Sequence, residues 1–267
     1  MQNRYLALMV ALGTAVAASG QAFPSGAHAS IEASKAASVP AMHPHSRAAA
    51  ADPSLPRARE LAQAAPSINP RVLRLALSAV SCAQGEGVGT GATHLAVIDY
   101  SLSSLKPRLW VFDLPTGKLL YHDVVAHGQG SGGDTPTRFS NADGTHASSL
   151  GLFVTRNTYI GHNGLSLRMQ GLEPGVNDAA LARAIVMHGA TYVNPAVDKG
   201  MGRLGRSWGC PALRKAVAKP IIEVMKNGQF VFSYYPDQAW LAHSALLKCP
   251  AARQRLAAND IRAGGKA

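Results

Sequence analysis

Acidic residues are scarce in this chain of 267 residues, in which 15 Asp and Glu stand against 26 Lys and Arg and leave a formal charge of +11. Such a balance draws a protein toward polyanions such as nucleic acid, anionic lipid or an acidic polymer. The cations are scattered, however, and no basic run is interleaved with aromatic residues, as single-stranded nucleic acid favours. We therefore expect no nucleic-acid partner.

Long hydrophobic runs are also missing. The apolar run of residues 5–18 is too short to span a bilayer, and no later segment approaches the roughly 20 apolar residues that a transmembrane helix needs. No cysteine follows this run at a lipidation position. Arg4 before the run and the small residues "AHA" before Ser30 are typical of a secretory signal peptide. We predict a signal peptide over residues 1–29 and no stable membrane insertion. The protein would then be secreted, to a periplasm in the first place or else outside the cell.

The segment after the predicted signal peptide has little apolar periodicity. Residues 30–68 are rich in Ala, Ser, Pro and His, which predicts a disordered linker. His43 and His45 within it make at most a weak metal site. Residues 70–83 place apolar side chains on one stripe and begin at Pro70, which predicts an amphipathic helix.

From His94 onward the sequence changes to short β-type runs, such as "THLAVIDY", "RLWVFDL" and "QFVFSYY", separated by turn residues. This pattern predicts one mainly-β domain over residues 69–238, large enough to bury its own core. The Ala- and Arg-rich residues 239–267 are predicted to form a helical tail.

Two groups of residues imitate catalytic or metal motifs. Ser103 to Lys106 matches the Ser-x-x-Lys pattern of serine enzymes, but Pro107 prevents the helix that would bring the lysine onto the serine. The scattered histidines lack the spacing of a metal site: His122, His127, His146 and His162. We assign neither serine chemistry nor a metal to these groups.

The stretch "GRSWGCPAL", residues 205–213, carries a cysteine between a glycine and a proline. Pro211 suits the first turn of a helix, which would put Cys210 at a helix N-terminus. Free N–H groups and the helix dipole would there lower the thiol pKa. Gly209 would let a substrate carbonyl approach the backbone amides, which form an oxyanion hole.

A thiolate nucleophile needs a partner that moves protons. The stretch "AIVMHGA" places His188 at the end of an apolar strand, 22 residues before Cys210, and Gly189 follows it. A lone histidine in such a place is more often a hydrogen-bonded structural group, but the cysteine makes a general base the better interpretation.

At these residues the chain resembles the L,D-transpeptidase (YkuD-like) catalytic domain family, cysteine enzymes that remodel peptidoglycan, and within it the murein L,D-transpeptidase branch. The family motif is His-Gly, a loop, then Ser/Thr-His-Gly-Cys, and "MHGA" and "SWGC" occupy these places; "VVAHGQG", "FSN", "SSLGLFVT" and "YIGHNGLSLRMQG" extend the resemblance. It implies a β-sandwich with a few peripheral helices, with Cys210 as nucleophile and His188 as general acid and base. It also implies that the Gly189 carbonyl orients the imidazole and that the amides of Gly209 and Cys210 form the oxyanion hole.

The resemblance implies a thioester between Cys210 and residue 3 of a peptidoglycan stem peptide, transferred to an amine to give a 3→3 cross-link. No cofactor or metal is required. An L,D-carboxypeptidase that hydrolyses the same thioester, and a non-catalytic wall-binding protein, remain open.

Two positions depart from the family pattern: Trp208 replaces the second histidine, and Ala212 replaces the usual Asn or Arg. The candidate substrate contacts are Ser207, Trp208, Arg206, Arg214 and His162. The glycine-punctuated residues 189–209 are expected to form a mobile loop that closes over the thioester.

The cysteine count is odd. With Cys210 reserved as a free thiol, Cys82 and Cys249 can form a disulfide in an oxidising compartment. Two unpaired structural cysteines are the alternative.

Overall fold

The computed structural model describes residues 54–249. The nine strands in this range are β1 (His94–Asp99), β2 (Leu109–Asp113), β3 (Leu119–Asp123), β4 (Val125–Ala126), β5 (Gly151–Gly161), β6 (Gly164–Gly171), β7 (Val186–Ala190), β8 (Ala212–Arg214) and β9 (Phe230–Tyr234). The helices are α1 (Ser54–Ala64), α2 (Pro70–Gly85), α3 (Pro195–Asp198), α4 (Lys215–Met225), α5 (Gln238–His243) and α6 (Ala245–Lys248). The predicted signal peptide, the first part of the predicted linker and the end of the predicted tail lie outside the described residues.

All nine strands form one mixed sheet in the order β3-β2-β1-β9-β5-β6-β7-β8-β4. The pairs β1–β9 and β7–β8 are parallel, and the remaining pairs are antiparallel. The two edge strands, β3 and β4, are separated in the chain by Val124 alone, so the sheet bends round and is nearly closed into a barrel. The predicted mainly-β fold with a few peripheral helices is confirmed.

Helix α2 begins where the sequence predicts and ends at Gly85, two residues beyond the predicted bound. The side chain of Asn69 accepts a hydrogen bond from the N–H of Arg71, and Pro70 occupies the first turn, where its missing N–H leaves no donor unpaired. The apolar stripe of α2 is buried in the main core, with Val72 and Leu73 fully covered. In the described part of the chain, no helix is long and apolar enough to cross a membrane.

Helix α1 occupies residues that the sequence assigned to the disordered linker. Leu61 is fully buried, and Ala58 and Ala65 are nearly so, because α1 packs against α2. This helix is stabilised by tertiary packing on a neighbouring helix, a contribution that the polar composition of its own residues does not reveal.

The helix predicted to begin at Pro211 begins at Lys215 instead. Residues Ala212–Arg214 form β8, which fills the gap in the sheet between β7 and β4. The backbone groups of this segment therefore pair with strands, and Cys210 does not lie at a helix N-terminus.

The end of the described chain is fixed to α2. Cys82 in α2 and Cys249 after α6 form a disulfide, with their Cα atoms 5.8 Å apart. Cys210 is the remaining cysteine of the chain and carries a free thiol.

Candidate active site

Cys210 ends a tight turn that leads into β8. Gly209 in this turn has a φ of +116°, and a Cβ atom on it would lie 2.8 Å from the carbonyl oxygen of Ala147. Glycine is therefore required here because the chain itself approaches closely, whereas the sequence suggested room for a substrate.

Ser207 organises the same turn from within. Its hydroxyl donates to the carbonyl oxygen of Cys210 at 2.6 Å and accepts from the N–H of Gly209 at 3.2 Å. Ser207 is buried, so it shapes the turn and is not exposed to substrate as the sequence suggested. Since the Gly209 amide already has an acceptor and the Cys210 N–H has none among residues 54–249, Cys210 is the stronger oxyanion donor of the two.

The thiol of Cys210 contacts the segment that enters β7. The N–H of Val186 donates to Sγ at 3.4 Å, and the S–H group faces the carbonyl oxygen of Ala184 at 3.9 Å. Burial raises the pKa of the thiol, while the Val186 N–H and the charge of Arg183 oppose this rise. The lowered pKa expected from a helix dipole is therefore wrong.

His188 lies in the middle of β7 and not at the strand end that the sequence suggested. It is opposite Ser166 on β6 and Ala212 on β8, and its side chain is 2 % exposed. Its Nδ1–H donates to the carbonyl oxygen of Gly189 at 3.1 Å, as the family resemblance implies. Burial lowers the pKa of His188, so the imidazole is neutral near pH 7 and Nε2 is free to accept a proton.

The register of β7 and β8 determines where Cys210 lies relative to His188. Ala212 pairs with His188, and two residues earlier on each segment Cys210 contacts Val186. Within the described chain, no hydrogen bond joins Sγ to the imidazole. The side chain of Cys210 must turn away from Ala184 before His188 can take its proton.

Both arginines proposed as substrate contacts are engaged with the protein. Arg214 forms a two-pronged ion pair with Asp123, through Nε at 2.8 Å and Nη2 at 2.6 Å, so it is not assigned to substrate. Arg206 donates from Nη1 to the carbonyl oxygen of Gly132 at 2.6 Å, which ties the cysteine turn to residues 129–132.

His162 and Trp208 are both exposed but lie in different places. His162 lies in the turn between β5 and β6 and lines an open groove of about 520 Å³ with Tyr192, Lys215 and Lys219. Cys210 does not line this groove, so the structure does not bring His162 to the thiol. Trp208 is 70 % exposed, two residues before Cys210, and packs against His146 from another loop.

Residues 189–209, expected to be a mobile closing loop, are held at several points. The N–H of Asn194 donates to Asp198 at 2.8 Å, and the N–H of Leu204 donates to the hydroxyl of Ser104 at 2.9 Å. Asp198 and Leu204 are buried. These contacts give no support to closure of the whole segment over a thioester.

Arg108 and His127 form a buried polar pair near the cysteine turn, which the sequence did not predict. The guanidinium of Arg108 is fully buried and donates to Nδ1 of His127 at 2.7 Å. Burial, followed by this neighbouring charge, lowers the pKa of His127 to about 4. The neutral ring therefore carries its proton on Nε2, which has no partner among the described residues.

A sequence model of the L,D-transpeptidase catalytic domain family matches residues 64–234. No curated protein matches the sequence. Among solved structures, an L,D-transpeptidase from Mycobacterium smegmatis is 13 % identical over 54 % of this chain and 59 % of its own, with a TM-score of 0.34. An L,D-transpeptidase from Stackebrandtia nassauensis is 13 % identical over 67 % of this chain and 89 % of its own, with a TM-score of 0.32. An L,D-transpeptidase in complex with imipenem is 13 % identical over 53 % of this chain and 59 % of its own, with a TM-score of 0.33.

Proposed function

The chain belongs to the L,D-transpeptidase catalytic domain family, and on that premise we propose that it is a peptidoglycan-modifying cysteine L,D-transpeptidase acting in the periplasm. One observation carries the proposal. The free thiol of Cys210 lies against the strand that holds His188, and Gly189 fixes the imidazole so that Nε2 is unprotonated. A free thiol beside the strand that carries a neutral imidazole provides the parts that acyl transfer requires.

The proposed reaction has two acyl-transfer steps. His188 takes the thiol proton as Sγ attacks the carbonyl carbon of residue 3 of a stem peptide. The bond to the terminal D-Ala breaks, and the imidazolium returns the proton to the departing amine, which leaves a thioester on Cys210. An amine of a second stem then attacks the thioester carbonyl and gives a proton to His188. The C–S bond breaks as the new amide forms, and the imidazolium returns the proton to Sγ, which restores the thiol.

We assign stabilisation of the developing oxyanion to the Cys210 amide, a role supported by its lack of an acceptor within the described chain. The raised thiol pKa means that Cys210 waits as a neutral thiol and depends on His188 for activation. In this proposal the Cys210 side chain turns from Ala184 toward Nε2 before the proton is transferred.

Hydrolysis of the same thioester would make the protein an L,D-carboxypeptidase. Cys210 is only partly buried, and this observation supports the second candidate, since water can reach a thioester there. The two reactions share the first step and differ in the second nucleophile.

Mass spectrometry of products tests the proposal directly. Purified protein is incubated with tetrapeptide muropeptides over a range of concentrations, and we expect 3→3 dimers to exceed free tripeptide as acceptor concentration rises. Tripeptide and D-Ala alone at every concentration would replace the transpeptidase with the carboxypeptidase. If neither a thioester on the protein nor any product is detected, a wall-binding role would be favoured. Cys210→Ser, which retains a smaller hydroxyl, is the matched control.

A further inference from the structure

Arg183 belongs to the segment against which the thiol of Cys210 lies. It is part of the turn of residues 181–184 before β7, and the next residue, Ala184, has a φ of +52° and offers the carbonyl that the S–H group faces. Val186, further along the same segment, donates its N–H to Sγ. The thiol is therefore bounded by the backbone of the segment that carries Arg183.

The guanidinium of Arg183 contacts neutral acceptors. Nη1 donates to the carbonyl oxygen of Ser140 at 2.7 Å and to the hydroxyl of Ser149 at 2.8 Å, and Nη2 donates to the carbonyl oxygen of Ala147 at 2.7 Å. No carboxylate among residues 54–249 lies within ion-pair distance of it. Its hydrogen bonds are thus satisfied, but its positive charge is not neutralised by a direct partner.

The same guanidinium reaches the cysteine turn. Nη2 lies 3.4 Å from the point that a Cβ atom on Gly209 would occupy, so the charge is next to the peptide that precedes Cys210. Because Arg183 is half-buried, its field is screened less than that of an exposed side chain.

We propose that Arg183 is the counter-ion of the Cys210 thiolate and the positioning residue that holds residues 140–149 against the cysteine turn. It supplies the positive charge that the sequence analysis expected from a helix terminus. The proposal rests on Cys210 being the nucleophile of the proposed function, and it extends that function to a residue outside the recognised motif.

The groups that face the thiol support this assignment. Tyr100 and Tyr192 have their pKa values raised to about 12, chiefly by burial, and remain neutral. His188 is neutral because burial lowers its pKa. The positive charge of Arg183 opposes the rise that burial causes in the pKa of Cys210, and the negative charge of Asp143 raises the pKa of Arg183.

The pH dependence of alkylation by iodoacetamide tests the proposal, because the thiolate is the reacting form and Cys82 and Cys249 are protected in the disulfide. We expect Arg183→Gln to raise the apparent thiol pKa by about one unit and to slow alkylation about tenfold below that pKa. Arg183→Lys keeps the charge and should restore most of the rate. Arg156→Gln, which removes an exposed guanidinium bound to Gln170, is the control and should leave the rate unchanged.

A merely structural role predicts a different outcome. Loosening of residues 140–149 would expose Cys210. Alkylation would then become faster and the apparent thiol pKa would fall, because burial is what raises it, in both Arg183→Gln and Arg183→Lys. That result, in folded protein, would overturn the counter-ion assignment. Since alkylation needs no peptidoglycan, this inference and the transpeptidase proposal can fail separately.

A second variant covers the case in which Arg183→Gln does not fold. Asp143 is exposed and partly offsets the charge of Arg183, so Asp143→Asn should lower the apparent thiol pKa by a few tenths of a unit. An unchanged or raised value would contradict the proposal.

Discussion

The rings of Trp208 and His146 lie face to face, with their centroids 4.6 Å apart and their planes inclined by 6°. His146 is held in a left-handed conformation, with φ of +51°, and its Nδ1 is within 3.1 Å of the side-chain nitrogen of Gln129. One face of the indole is thus covered by the imidazole, while 70 % of Trp208 remains exposed next to the cysteine turn. The position at which the family pattern has a second histidine therefore carries a supported aromatic surface.

Trp208→Ala should weaken binding of the stem peptide, because it removes a stacking surface close to Cys210. We expect KM for tetrapeptide muropeptides to rise about 2- to 10-fold, the equivalent of about 0.5–1.5 kcal/mol of aromatic contact, with a smaller effect on kcat. Trp208→Phe should retain most of the affinity. Equal KM values for all three proteins would mean that substrate does not contact this surface.

Cys210→Ala should abolish both turnover and covalent labelling by a carbapenem such as imipenem. Thioester formation requires a nucleophile, and Cys210 is the free thiol of the chain. Intact-protein mass spectrometry checks the labelling, with the Cys82→Ala/Cys249→Ala double variant as control. If the carbapenem added the same mass to Cys210→Ala as to the parent protein, Cys210 would be excluded as the acylated residue.

On the acidic side, kcat/KM should begin to fall only at a pH below the usual pKa range of histidine. Burial lowers the pKa of His188, so the imidazole stays neutral and able to accept the thiol proton at mildly acidic pH. The thiol, whose pKa burial raises, should stay protonated through neutral pH in the free enzyme. Stopped assays from pH 4 to 9 measure the profile. An acidic limb above pH 6.5 would show that His188 is not a depressed base.

Stability should fall as the pH drops from about 6.5 to about 4. His127 has a pKa near 6.5 when unfolded and about 4 when folded, so over this window the unfolded chain binds the additional proton. The free energy of unfolding then rises with pH by about 1.4 kcal/mol per unit for one proton, and the His127 contribution is constant above this window. His127→Gln keeps an acceptor for Arg108. In this variant the unfolding free energy, measured by urea unfolding at several pH values, should depend less steeply on pH, by the equivalent of about one proton. An unaltered slope would contradict the depressed pKa.

Loss of the disulfide should destabilise the domain without altering the thiol. Cys82 and Cys249 are separated by 167 residues, and removal of such a link costs about 2–5 kcal/mol of unfolding free energy. Denaturant unfolding of the Cys82→Ala/Cys249→Ala variant measures the loss, while the alkylation rate of Cys210 serves as its internal control. A stability within about 0.5 kcal/mol of the parent protein would show that the bridge does not constrain the fold.

Local patterns predicted the parts of the fold whose neighbours are near in sequence. The stripe of α2, with Pro70 at its start, gave the correct helix to within two residues at its end. Alternating and continuous apolar runs indicated strands such as β1 and β9. The helix α1 was missed because its burial depends on α2, and β8 was missed because a strand of three residues has too little periodicity to compete with a proline-initiated helix.

By itself the sequence determined the chemical groups, since Cys210, His188 and Gly189 stand in a motif whose chemistry is readable from residue type and spacing. Only the tertiary structure decided their electrostatic surroundings. Ala212–Arg214 join the sheet, so Cys210 does not lie at a helix N-terminus, and Arg183 lies beside the cysteine turn instead. Arg214 is likewise committed to Asp123, 91 residues away in the chain. Spacing along a chain fixes which groups are present, but the field at a thiol depends on distances between segments, and those are set only when the sheet closes.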